Sequence, residues 1–285
     1  MTAERFRLAC VQLNSGNDMA ANLTAAADLV RRAREAGAEL IATPENTAMM
    51  EPDGRLAIEK ARPEADHPAL AAFSEFAVET GAWLLLGSIA VRAAGEARAA
   101  NRSYLITPSG AVAARYDKIH MFDVNLPSGD IHRESKSFRP GRAARLADTP
   151  WGRLGMTVCY DLRFPGLYRS LAQAGAGLLS VPAAFTRVTG RAHWHVLLRA
   201  RAIENGCFVF APAQTGTHPG PRHTFGHSLV VDPWGEVLAD GGEEPGFVVA
   251  DIDMARVDEA RDRIPSLAHD RPFAAPAAIA PEAAD

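Results

Sequence analysis

An α/β layered architecture in a single domain is what this sequence predicts, and three observations predict it. Short apolar, β-branched runs recur along the chain, of the kind that form strands buried on both faces. Amphipathic stretches with helix start and stop signals alternate with them. No linker-like segment divides the 285 residues, a length that suits one large domain.

Phe6 to Leu13 reads as a buried strand in which Cys10 is a small hydrophobe. Asn17 and Asp18 offer N-cap oxygens for an amphipathic helix from about Met19 to Ala36, stopped by Gly37. Glu39 to Thr43 is a short strand running into Pro44-Glu45-Asn46. After an irregular loop, Pro68 to Thr80 reads as a helix closed by Gly81, and Trp83 to Val91 as a third buried strand. Asn101 to Pro108 and Ala111 to Arg115 flank Ser109-Gly110, a hairpin signal that delivers Lys118. Residues 121 to 150 show no period, and a loop that long inside a domain is functional or disordered.

The second half repeats the alternation. Gly155 to Val158 is a strand, and Pro165 opens a helix to about Ala174, where its missing N–H is not needed. Gly177 to Ala183 is a strand, and Gly190 precedes a helix from about Arg191 to Asn205 with Gly206 as C-cap. Cys207 to Ala213 is a strand, with Cys207 in the core. His227 to Asp232 and Gly246 to Asp251 are strands that bracket the turn at Pro233-Trp234-Gly235, and a charged helix spans Met254 to Arg263. The domain therefore covers 1–273, and the Ala/Pro-rich stretch 274–285 is expected to be a mobile tail.

Composition removes several classes of function. With 47% hydrophobic and 22% charged residues the chain is an ordinary globular one. A net charge of -4 gives no electrostatic reason to bind nucleic acid or an anionic membrane. Three cysteines do not make a disulfide framework, the N-terminus lacks the apolar core of a signal peptide, and no run is long enough to cross a bilayer. A cytoplasmic location is the expectation. Of the 30 basic residues only Lys60, Lys118 and Lys136 are lysine. Where charge alone is needed this chain has arginine, so a retained lysine points to a position that needs a compact ammonium.

Three candidates for chemistry share one placement. Glu45, Lys118 and Cys159 each follow a strand, and strand ends are where reacting groups converge in open α/β sheets. Alone, Cys159 reads equally as a nucleophile or a core cysteine, and Glu45 reads first as a surface acid. Together a carboxylate, an ammonium and a thiol suit acyl transfer: base, oxyanion holder and nucleophile. A Ser-dependent hydrolase would need a Gly-x-Ser-x-Gly elbow, which is missing from the sequence, and an intact triad argues against a non-catalytic interaction protein.

The sequence resembles the nitrilase superfamily of carbon–nitrogen hydrolases. The resemblance covers about residues 6 to 273 and rests on Pro44-Glu45-Asn46, Tyr116-Asp117-Lys118-Ile119-His120 and Val158-Cys159-Tyr160-Asp161-Leu162-Arg163-Phe164-Pro165. It implies an αββα sandwich that forms a homodimer, a Glu45–Lys118–Cys159 triad, and hydrolysis of linear amides to acid and ammonia through a cysteine thioester. Within the superfamily the chain is similar to the Nit branch, through Glu134-Ser135-Lys136, the stretch from Phe185 to Trp194, Ala213-Gln214-Thr215-Gly216 and Gly226-His227-Ser228. The branch implies Glu134 as a second glutamate beside Lys118, Tyr160 as a backbone oxyanion donor, and Phe185 and Thr189 as lining of the acyl pocket.

Arg163, four residues past the thiol, has the planar fork to bind a substrate carboxylate. The substrate implied is a small carboxylate-bearing amide. Deaminated glutathione is favoured by Gln214 and the loop from His218 to His223; short ω-amides such as α-ketoglutaramate are the alternative, and a broad aliphatic amidase the third. His195 departs from the branch, which usually has Glu after this Trp. No cofactor is expected. No metal is expected either, because His193 and His195 do not share a helix face and the remaining histidines fall in an irregular loop.

Overall fold

The computed structural model describes residues 4–275 apart from 93, 94, 128 and 221. Its first half comprises β1 (Arg5–Gln12), α1 (Met19–Glu35), β2 (Leu40–Ala42), α2 (Gly54–Lys60), α3 (Pro68–Thr80), β3 (Trp83–Val91), β4 (Ala100–Ile106) and β5 (Val112–Asp117). A small hairpin of β6 (Asp123–Asn125) and β7 (Ile131–Arg133) follows. The second half runs β8 (Arg145–Thr149), β9 (Gly152–Met156), α4 (Pro165–Gln173), β10 (Ala176–Ser180), α5 (Arg187–Asn205) and β11 (Phe208–Ala211). It ends with the hairpin β12 (Thr215–Thr217) and β13 (His223–Phe225), then β14 (Leu229–Val231), β15 (Val237–Asp240), β16 (Gly246–Asp253) and α6 (Ala255–Arg263).

Two six-stranded sheets result, ordered β16-β1-β2-β3-β4-β5 and β15-β14-β11-β10-β9-β8. Each has three parallel strands at its centre and antiparallel strands at its edges. The alternation along β1 shows how the layers form. Leu8 and Cys10 enter a core shared with the second sheet, which includes Leu154, Met156 and Leu178. Ala9 and Val11 point the other way, against Val30 and Phe73 of α1 and α3. Tyr168 of α4 and Trp194 of α5 close the far face of the second sheet. The order helix, sheet, sheet, helix is the αββα sandwich that the resemblance implied.

Caps match the expected signals: Asp18 accepts from the Ala20 and Ala21 N–H groups, and Gly81 and Gly206 take the left-handed conformation. Elements below the reach of periodicity are where the structure differs. Helix α2 lies in the expected loop, and residues 121–150 hold β6, β7 and the polar edge strand β8. Helix α5 begins at Arg187, not Arg191, so Gly190 lies in its first turn. The lack of a side chain there lets the Phe225 ring seat against the helix backbone. Of the stretch expected to be a mobile tail, residues from 276 onward lie outside those described.

Two glycines bring strands against the segments that carry functional side chains. A Cβ on Gly87 of β3 would overlap the carbonyl oxygens of Thr43 and Pro44, and one on Gly141 would overlap that of Asp117. These backbones immediately precede Glu45 and Lys118. Gly87→Ala must push β3 away from the Glu45 turn, and overpacking of this kind typically costs about 1–3 kcal/mol. Thermal unfolding should show that loss together with lower hydrolytic activity; an unchanged midpoint would mean that the close approach is not needed.

Candidate active site

Glu45, Lys118 and Cys159 leave different strands and meet at the floor of one cavity of about 580 Å³. Glu45 sits three residues past β2, on a turn held by β3. The Thr43 N–H donates to Leu85 O (2.9 Å), the Asn46 N–H to Ser88 Oγ (2.9 Å) and the Thr47 N–H to Ser88 O (3.1 Å). Asn46 takes a left-handed φ of 56°, the local strain that turns the chain once the carboxylate has been delivered. Lys118 follows β5, and Gly141 N–H donates to its carbonyl (2.7 Å). Both side chains are buried.

Cys159 opens a short 3-10 turn, Cys159–Arg163, three residues beyond β9. Its φ is 49°, and its N–H donates to Pro182 O at 2.9 Å. The turn is locked by Asp161, which is fully buried. Asp161 accepts from the Val158 N–H (2.9 Å), the Tyr116 hydroxyl (2.7 Å) and the His120 N–H (3.0 Å), and lies 2.7 Å from His120 Nδ1. Tyr116 and His120 flank Lys118 by two residues on either side. One carboxylate thus fixes the nucleophile turn to the lysine segment. Asp161 was not among the candidates singled out from the sequence; the signal was the matched spacing of Tyr116 and His120 around Lys118.

The ammonium of Lys118 is the centre of the charge network. It donates to Glu45 Oε1 (2.8 Å) and to both oxygens of Glu134 (3.0 and 2.8 Å). Glu134 also accepts from the Phe122 N–H at 2.7 Å, and Glu45 from the Ala184 N–H at 3.0 Å. Asn101, which sequence reasoning missed, bridges the two acids, its amide donating to Glu45 (2.9 Å) and Glu134 (3.2 Å).

Burial opposes every charge here, and the neighbours decide the outcome. Desolvation lowers the Lys118 pKa, but Glu134 and Glu45 outweigh it and hold the ammonium above the usual lysine range. Desolvation likewise raises that of Glu45, but Lys118 and then Arg222 bring it below the ordinary carboxylate value. For Cys159 burial and the facing Glu45 act together and push the thiol well above its usual range, against Lys118 and the Ala184 N–H. The resting state at neutral pH is carboxylate, ammonium and thiol. A carboxylate able to take a proton therefore faces a thiol that carries one.

Tyr160, Phe185, Thr189 and Glu134 line the cavity. Arg163 does not. Its guanidinium stacks on Phe185 (5.2 Å to the ring centroid) and Tyr160 (5.9 Å) and lies 3.3 Å from His193 Nδ1. The cavity's arginines are Arg133, Arg187 and Arg222. Arg222 donates to Ala184 O at 2.9 Å, and its Nε is buried with no hydrogen-bond partner among the described residues. Gln214 does not line the cavity either: it is buried, bonding Ser15 and the carbonyl of Glu45 (3.1 Å), and so braces the glutamate turn.

The carbon–nitrogen hydrolase family model matches residues 7–262. A deaminated glutathione amidase of Synechocystis sp. is 44% identical over 272 residues, covering 93% of this chain and 97% of the relative. The human protein of that name is 40% identical over 269 residues, covering 93% and 82%. Among solved structures, the Caenorhabditis elegans NitFhit protein superposes with a TM-score of 0.89 at 39% identity, covering 95% of this chain and 66% of that one. Saccharomyces cerevisiae Nit3, from branch 10 of the nitrilase superfamily, gives 0.84 at 28% identity, with 93% and 96% covered. Fold, cavity and similarity over nearly the whole length agree: this chain belongs to the carbon–nitrogen hydrolase family.

Proposed function

We propose that the chain is a thiol-dependent amidase in which Cys159 attacks the amide carbon, Glu45 moves the protons and Lys118 holds the oxyanion. The observation that carries this reading is the Glu45–Lys118–Glu134 network, buried at Glu45 and Lys118, closing on the Cys159 thiol inside one cavity. Glu45 accepts the thiol proton as sulfur bonds to the carbonyl carbon. The oxyanion then lies against Lys118 and the Tyr160 N–H, which stands in the first turn of its helix, where N–H groups lack an intrahelical partner. Collapse of the adduct expels the amine, protonated by Glu45, and leaves a thioester. Water, deprotonated by the same carboxylate, adds to the thioester and releases the acid and the thiol. Glu134 keeps Lys118 charged and aimed.

For substrate we favour deaminated glutathione, the compound in the names of the relatives that match over most of their length. Its leaving group is the amine of a Cys-Gly peptide rather than ammonia, which revises the products expected above. Its two carboxylates suit a cavity of this size walled by arginines. The substrate carboxylate falls to Arg222, whose unpartnered Nε faces this task, and not to Arg163, which is held against ring faces outside the cavity. We also infer a homodimer through α5. Val188, Val196 and Ile203 are exposed at helical spacing on one face, with exposed Trp234 in the turn next to Ile203. A cytoplasmic location remains our reading.

Three measurements test these assignments. Glu45→Gln removes a charge that opposes thiolate formation, so Cys159 should become alkylated by iodoacetamide at lower pH, by about a unit or more. Turnover should nonetheless fall by about 10²- to 10⁴-fold. An unshifted titration, or retained turnover, would contradict the role of Glu45. Deaminated glutathione should exceed α-ketoglutaramate in kcat/KM, and Arg222→Gln should lower that value by about 10- to 100-fold, more than Arg163→Gln does. The reverse order would return the carboxylate to Arg163. Finally, light scattering should give a dimer that Val196→Glu dissociates; a wild-type monomer at micromolar concentration would remove the interface.

A further inference from the structure

Three side chains with no part in the amidase scheme converge beside α5, outside the lining of the cavity. His195 projects from the middle of α5, His227 stands just before β14, and Asp240 ends β15. His195 Nε2 lies 3.0 Å from Asp240 Oδ2, and His227 Nδ1 lies 2.8 Å from Asp240 Oδ1. The ligand atoms of all three fall within 4.8 Å of one another. The expectation of no metal rested on His193 and His195 lying on different helix faces and on the other histidines falling in an irregular loop, which left a pairing between distant elements unseen. The partner of His195 is in fact 32 residues away, across the sheet edge.

We infer that His195, His227 and Asp240 form a binding site for one divalent first-row transition ion, of the zinc class. Two neutral imidazoles and a carboxylate are borderline donors that suit such ions and not calcium or magnesium, which prefer oxygen throughout. Around an ion with bonds of about 2.1 Å, donors are spaced roughly 3.4 Å apart. Both histidine–carboxylate distances are already close to that value. Small side-chain rotations bring the three onto one ion, and water completes the shell.

The surroundings hold two of the ligands in place before an ion arrives. His227 takes a left-handed φ of 55°, and its N–H donates to Gly242 O at 2.6 Å. Its carbonyl accepts the indole N–H of buried Trp194 at 2.8 Å, and its ring stacks on Phe225 at 4.4 Å. Asp240 Oδ1 accepts the Gly242 N–H at 2.9 Å. The three side chains stay 22–35% exposed, so an ion reaches them from solvent. His195 is the variable element. A glutamate, which the resemblance gives as usual there, would set two carboxylates side by side, whereas histidine supplies a neutral donor.

Cobalt(II) is the probe, added to the full-length protein and displaced by zinc. The wild type should take up one ion per chain. Its absorption should show the weak bands of nitrogen and oxygen ligation and no thiolate charge-transfer band. Affinity should fall as pH drops through the imidazole range, because protons compete for the same nitrogens. His195→Gln and Asp240→Asn should each weaken binding by at least about tenfold. His195→Gln should keep normal amide hydrolysis, which shows the variant to be folded. Failure of the wild type to bind either ion below millimolar concentration would overturn the inference. So would wild-type affinity in either variant, or a thiolate band placing the ion on Cys159.

Discussion

A buried ammonium clasped by one buried and one partly buried carboxylate is the interaction on which the rest of this structure depends. Taking any one of these charges out of water costs several kcal/mol, and removing one partner of such a group strands the others. Glu45, Lys118 and Glu134 are thus tolerable only together, and only with Asn101, the Ala184 N–H and the Phe122 N–H supplying the remaining hydrogen bonds. Arg222 adds a second positive charge that steadies Glu45. The net result is a carboxylate that stays ionised in a dry place, next to a thiol that does not.

That cluster forms only because two sheets deliver their strand ends to the same point. The chain leaves β2 and β9 through left-handed residues, Asn46 and Cys159, each carrying the backbone abruptly away from the sheet. Asp161 then ties the cysteine turn to the residues around Lys118, so Cys159 and Lys118 share one frame. Gly87 and Gly141 thin the packing behind Glu45 and Lys118. Binding energy and catalytic geometry come from different layers, but the alignment between them is set by backbone contacts.

Much of this was legible in the sequence. Long apolar and amphipathic runs gave the alternation, and the arginine bias made Lys118 stand out before any motif was considered. Three short motifs in order marked Glu45, Lys118 and Cys159 as the candidates, and a separate short stretch marked Glu134. What escaped were residues whose meaning lies in pairs distant along the chain. Asp161 makes sense only beside Tyr116 and His120, Asn101 only between two glutamates, and His195 only opposite Asp240. Arg163 was read from its spacing to Cys159, but the turn rotates it onto aromatic faces. Spacing along a chain fixes neighbours within an element; it does not say which way an irregular turn points.

The same scarcity of lysine has a practical consequence. Lys60 and Lys136 reach solvent, whereas Lys118 is sealed beneath the cavity with its nitrogen fully engaged. Amine-directed reagents applied to the native protein therefore distinguish one internal lysine from two superficial ones. Acylation of Lys118 requires the charge cluster to come apart, so its labelling rate, read by peptide mass, is a direct clock for opening of the catalytic floor.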